Sequence, residues 1–291
     1  MFLQQLVNGL VIGAVYALAA LGYSMVYGMI RMMNFAHGDI LMFGTYLTLT
    51  FTLLGLPFYF ALPLGVITGV AVALVVARFA YMPLLNRPRN ALVLTSVGAS
   101  FLLENVAQLI WGASVQPFPR PSILSSQSHL IGGAVVTDFQ ITILIVLVIS
   151  MVLLTFFVRY TRLGIAMRAT SSNMLASRLM GIPARFIVYV TFAIGSVMAV
   201  LGGVLIGIYY NSVWPTMGFN LGLVAFSASI LGGIGSLPGS VLGGLFMGIA
   251  ESLGATYISS GFRGAVAFIV LILILLIRPS GILGQPEVEN I

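Results

Sequence analysis

From Ile141 to Val158 the chain runs eighteen residues without a charge, and similar runs recur from one end to the other. About 18 apolar residues suffice to cross the hydrocarbon layer of a bilayer as a helix. Inside that layer there is no water for the backbone to bond, so only helices or closed barrels survive there. Runs of this length and frequency therefore point to a helical membrane bundle and exclude an ordinary soluble domain. Composition agrees, because 6% of the 291 residues are charged, against about 25% in soluble domains.

Nine apolar segments are predicted: about Leu6–Tyr27, Phe35–Leu54, Tyr59–Ala77, Ala91–Trp111, Ile141–Val158, Ile187–Tyr210, Leu221–Ile234, Ser240–Thr256 and Ala265–Ile277, the last closed by Arg278 and Pro279. The seventh and ninth are short for full spans. The expected fold is an all-α polytopic bundle of about eight to ten transmembrane helices, with short or broken helices near both ends of the chain. Residues 1–291 form a single domain, since no linker or composition shift divides them. Gly9 with Gly13, and Gly203 with Gly207, have the four-residue spacing that lets two helices approach closely. No Lys or Arg precedes Arg31 and the first apolar run is too long for a signal peptide, so Met1 to Gly28 is expected to stay.

All 12 basic residues are arginines. Without lysine the phosphate-binding loop of an ATPase cannot be built, so any ATP would be hydrolysed by another subunit. With no cysteine there is no disulfide, thiol catalysis or thiolate metal site. The net charge of +6 is that of arginines at the ends of apolar runs, which follows the positive-inside rule and gives no sign of nucleic-acid binding.

Five of these arginines, Arg159, Arg162, Arg168, Arg178 and Arg185, fall in one loop, and no acid occurs between Asp138 and Glu251. An arginine at the bilayer centre costs roughly 2.5 to 3.5 kcal/mol on insertion scales, so this loop is expected to be cytoplasmic and to orient the chain. An odd count of nine spans then puts the N-terminus outside, with Arg31, Arg78, Arg87, Arg89 and Arg278 inside and Arg120 and Arg263 outside. Counts of eight or ten remain compatible with the hydropathy. Within the loop, Thr170, Ser171, Ser172 and Asn173 form a capping cluster. Leu175, Leu179 and Ile182 follow at helical spacing, and Gly181 and Pro183 close a short helix of about two turns. So short a helix needs a partner surface, either another protein or the membrane face and the bundle itself.

Several polar residues lie within or beside apolar runs. Asn34, His37 and Asp39 stand at the start of the second segment, where Asn34 suits a helix cap and the group suits a gate at a helix end. Ser96, Ser100, Glu104 and Gln108 make one stripe at four-residue intervals, suited to a pathway or to hydrogen bonds between helices. Glu251 could serve a pathway or snorkel to the interface. The glycine-dense stretch from Leu231 to Gly244 fits close packing around a tight turn, or a thin-walled gate. Trp111, Tyr209, Tyr210 and Trp214 fall at segment ends, where aromatic residues anchor in the interface. No catalytic or metal-ligating constellation is present at motif spacing, which argues against an intramembrane enzyme.

MNFAHGDILMFGTY, from Met33 to Tyr46, resembles the N-terminal signature of permease subunits of branched-chain amino acid ABC importers, the LivH type. SILGGIGSLPGSVLGG, from Ser229 to Gly244, and the central RATSSNMLASRLMGIPARF resemble that family's C-terminal motif and cytoplasmic coupling loop. The family's loop often carries an acid near the position of Asn173, which this chain lacks. The resemblance implies an inner-membrane permease paired with a second, LivM-type permease. It also implies two cytoplasmic ATPase subunits that hold ATP and Mg, and a periplasmic binding protein that delivers substrate. Arg168, Leu175, Arg178, Leu179 and Gly181 would then carry the ATPase coupling within a loop of about 159–186. The competing expectation is an ion-coupled secondary carrier or channel for a small solute, for which one stripe and two acids offer few coupling groups.

Overall fold

The computed structural model describes residues 1–85, 87–121, 127–259, 261, 263–278 and 280–284. Nine of its helices coincide with the nine apolar segments: α1 (Phe2–Ile30), α2 (Ala36–Leu53), α3 (Phe58–Val76), α4 (Arg89–Trp111), α5 (Asp138–Tyr160), α8 (Ala184–Tyr210), α9 (Met217–Gly232), α10 (Leu237–Tyr257) and α11 (Arg263–Ile277). Two more, α6 (Arg162–Ser172) and α7 (Met174–Leu179), lie in the arginine-rich loop. Among the described residues, six helices are long and apolar enough to cross a membrane. The protein is a multi-pass membrane protein. The α9 and α11 helices are short, as the sequence predicts, and the Pro279 boundary lies outside the described residues.

The bundle is built around α1, 94% of whose apolar stretch is buried, whereas α4 is 17% buried and faces outward along most of its length. Glycine makes the central position possible. A Cβ on Gly13 would stand 2.7 Å from Leu245 Cα, and one on Gly244 would stand 2.5 Å from Ala17 Cα, so α1 and α10 touch backbone to backbone. On the other side of α1, a Cβ on Gly22 would meet Gly195 O of α8 at 2.4 Å.

The third segment runs on past its predicted end at Ala77. The chain continues from α3 through a π-helical turn (Ala77–Tyr81) and a tight turn (Met82–Leu84), so Arg78 lies on a helical extension. Pro83 sits at the start of the tight turn, a position where proline is tolerated.

Small antiparallel pairs close the other end. One joins β1 (Gln116–Pro117) to β4 (Ser212–Val213), and the other is a hairpin of β2 (Ser128–Ile131) and β3 (Ala134–Thr137). Its two-residue turn, Gly132 and Gly133, has φ of 58° and 87°, positive values that glycine adopts without strain. The hairpin is tied down at both edges. Gln4 Nε2 donates to Val135 O at 3.0 Å and Gln4 Oε1 accepts from Val135 N at 2.7 Å, while Thr137 and Gln140 form a capping box that starts α5. Arg120 lies over the Phe139 ring at 5.3 Å at this end. Arg31, Arg159, Arg185 and Arg278 stand at helix termini of the opposite end.

Candidate translocation and coupling sites

The α2 helix starts inside the bundle. After α1 the backbone turns at Arg31, with φ 53° and ψ 36°, and residues 32–35 are not part of a helix. Two residues further on, His37 Nε2 lies 3.3 Å from Ala19 O. Ala19 precedes the end of α1 by eleven residues, or about 16 Å at 1.5 Å per residue. The chain therefore climbs back along α1 before α2 begins. Asn34, His37 and Asp39 are all buried there.

Asn34 does not cap α2. The residue before the helix is Phe35, and no side chain bonds the first turn. Both Oδ1 and Nδ2 of Asn34 are buried without a hydrogen-bond partner, as is Oδ1 of Asp39. His37 is held by Ala19 and by the Tyr23 ring, whose centroid is 5.3 Å away edge to face. The Tyr81 hydroxyl donates to Met33 O at 3.3 Å and fixes the non-helical stretch.

The polar stripe of α4 faces this place. Ser96 Oγ accepts from Phe35 N at 3.3 Å, and the Ser100 hydroxyl donates to Asp39 Oδ2. Further along, Trp111 Nε1 donates to Thr50 Oγ1 at 2.9 Å, and its ring stacks on Tyr46 at 4.9 Å. Each hydrogen bond joins residues 61 apart in sequence, so α2 and α4 run parallel in one register. Trp111 is thus tied into the bundle through its ring nitrogen as well as standing at a helix end. Glu104 and Gln108 continue the stripe, half-buried and bonded to each other at 3.3 Å. Two polar sets that the sequence holds apart are brought together here.

Glu251 is not at the interface. It is buried on α10 and accepts from the Tyr16 hydroxyl at 2.7 Å, which excludes the snorkelled alternative and links α10 to α1. The glycine-dense stretch is a tight reversal between α9 and α10. A Cβ on Gly232 would stand 1.9 Å from Gly239 O, and Gly233 and Gly235 have φ of 101° and 87°. Gly235 N donates to Ser24 Oγ at 3.0 Å, locking the turn to α1.

At the arginine-rich end the capping cluster divides differently from the sequence expectation. Thr170, Ser171 and Ser172 end α6, and Thr170 and Ser171 turn their hydroxyls back to Ala166 O and Arg168 O. Asn173 alone caps α7, its Oδ1 accepting from Ala176 N at 2.9 Å. Gly181 leaves the short helix with φ 82°, and Ile182 packs inward. Leu175, Leu179 and Met180 are 70%, 82% and 82% exposed. Arg178 lies beside Met174 on the same helix. Arg168 is elsewhere, on α6, where it lines a cavity of about 180 Å³ with Ser24, Met25, Met29, Met167 and Leu237.

A family model described as the permease component of the branched-chain amino acid transport system matches residues 5–275. The chain belongs to that family. Over its full length this permease is 40% identical to the high-affinity branched-chain amino acid transport system permease protein LivH of Escherichia coli (strain K12), covering 98% of that protein. It is equally similar, over the same shares, to the corresponding permease protein BraD of Pseudomonas aeruginosa. Among solved structures, PsaBC from Streptococcus pneumoniae in complex with Fab aligns with a TM-score of 0.51 at 16% identity, over 96% of this permease and 93% of that chain. That likeness concerns the fold.

Three parts of the permease were missed by sequence reasoning. The α6 helix was hidden by its polar C-terminus, and the inward climb before α2 has no hydropathy signature. The Gly132-Gly133 turn between alternating residues was a readable hairpin signal.

Proposed function

We propose that this chain is the LivH-type permease of an ABC importer for branched-chain or closely related small amino acids in the bacterial inner membrane. A second, LivM-type permease pairs with it, a periplasmic binding protein delivers substrate, and two cytoplasmic ATPase subunits hold ATP and Mg. Full-length similarity to LivH and BraD supports the substrate class. The observation that carries the mechanism is α7, a capped six-residue helix that presents Leu175 and Leu179 outward at the arginine-rich end.

A helix this short does not persist alone in water. Here it is held by its cap, by its own buried Ser177 and by the inward-packed Ile182. Its exposed leucines suit a groove of an ATPase subunit, and closure of the ATPase pair would push through α7 into α8, which begins after four intervening residues. Rocking of the bundle between inward-open and outward-open states would follow.

The test is co-purification from mild detergent of the intact protein and of a variant with Leu175→Asp and Leu179→Asp. The intact protein is expected to bring down an ATPase subunit and the variant to lose it. Capture of no nucleotide-binding partner by the intact protein would favour the ion-coupled carrier instead.

A further inference from the structure

Asp39 is a completely buried carboxylate with no salt-bridge partner among the described residues. One oxygen accepts from Ser100, and the other, with both polar atoms of Asn34, has no partner. Glu104 follows Ser100 by one turn on α4, so the polar face toward Asp39 carries a second acid. Leaving three buried polar atoms unmatched is costly, and each calls for an explanation, of which a ligand that binds there is one.

What covers the free Asp39 oxygen is thin. A Cβ on Gly218 would stand 2.7 Å from Asp39 Oδ1, and one on Gly38 would stand 2.0 Å from Gly218 O. The first turn of α9 therefore lies directly on α2 through glycine backbone, and Gly218 covers the free carboxylate oxygen. The same face of α9 contributes Phe219, Gly222, Leu223 and Phe226 to a pocket completed by Tyr23 and Phe35. This pocket is closed to about 10 Å³, about the limit for a single water.

We propose that Asn34 and Asp39 hold the ammonium and carboxylate groups of an amino-acid zwitterion in transit. The aliphatic side chain enters the Tyr23, Phe35 and Phe226 pocket when α9 lifts from α2. The chemistry matches atom for atom. Asp39 Oδ1 and Asn34 Oδ1 accept from an ammonium, and Asn34 Nδ2 donates to the neighbouring carboxylate. The apolar pocket is reached through Phe35, which follows Asn34 in the chain, and through Gly222, which packs on Gly38 next to Asp39, and its rings suit a leucine-like side chain. This assignment rests on the importer reading above and deepens it.

The experiment uses the complete importer in proteoliposomes, with wild-type, Asp39→Asn and Asn34→Ala permease. Leucine uptake per ATP hydrolysed is measured together with the melting temperature of each complex. Each substitution is expected to lower leucine taken up per ATP at least tenfold without lowering the melting temperature, because it removes groups that the closed state leaves unmatched. An unchanged uptake ratio in both variants would overturn the assignment and leave the importer reading standing. So would a loss that follows a drop in melting temperature, which marks a structural role. A wild-type importer that hydrolyses ATP but moves no amino acid would overturn both.

Discussion

Tyr16 and Glu251 lie on α1 and α10, and their 2.7 Å hydrogen bond is buried where the two helices are closest. A typical buried hydrogen bond contributes roughly 0.5 to 1.5 kcal/mol net. Tyr16→Phe keeps the ring and its packing, so thermal unfolding of the purified permease should show a destabilisation of about that size. A change within error would mean that the carboxyl relies on its other contacts. The sequence marks Glu251 because an acid in an apolar run stands out. It gives no sign of Tyr16, which is one more aromatic residue in a run already long enough to span. The same limit applies to Asp39 and Ser100. Each was identifiable as a polar residue in an apolar segment, but their contact crosses 61 residues and depends on where α2 begins. The expected capping role of Asn34 failed for that reason, since the climb along α1 places the side chain away from the first turn of α2.

The nine apolar helices were legible because hydropathy alone dictates them, and their ends moved by only a few residues in the structure. The arginine-rich loop was harder. Thr170 and Ser171 look like a helix start, yet their hydroxyls bond back to carbonyls one turn earlier and end α6 instead. Asn173 is the residue on which α7 depends. Loss of an N-cap costs about 1 kcal/mol, and a helix of six residues has little else to offset the cost of nucleation. Asn173→Ala should therefore unwind α7 while leaving α8 intact. Hydrogen exchange is expected to show faster exchange at Met180 N, bonded to Ala176 O, with the deep amides of α8 unaffected. ATPase capture should weaken in parallel. Unaltered exchange at residue 180 would show that Ile182 and Ser177 hold the element without its cap.

At the scale of the whole molecule, charge and architecture make the same division. Arg31, Arg159, Arg185 and Arg278 stand at one end of the bundle, and the glycine-turned hairpin, Arg120 and the His129–Asp138 pair stand at the other. Carrying the loop of five arginines through a bilayer would cost far more than leaving it behind, and on that ground we propose that the arginine-rich end lies in the cytoplasm. The absence of cysteine makes this directly measurable, because any introduced thiol is unique in the chain. Ser172 is exposed at the arginine-rich end, and His129 is 48% exposed in its side chain at the hairpin end. In intact cells, an impermeant thiol reagent should label His129→Cys and spare Ser172→Cys, and breaking the cells open should make both react. Reaction of Ser172→Cys in sealed cells would place α7 beyond the reach of any cytoplasmic ATPase, and ATP-driven movement through Leu175 and Leu179 would then have no physical route.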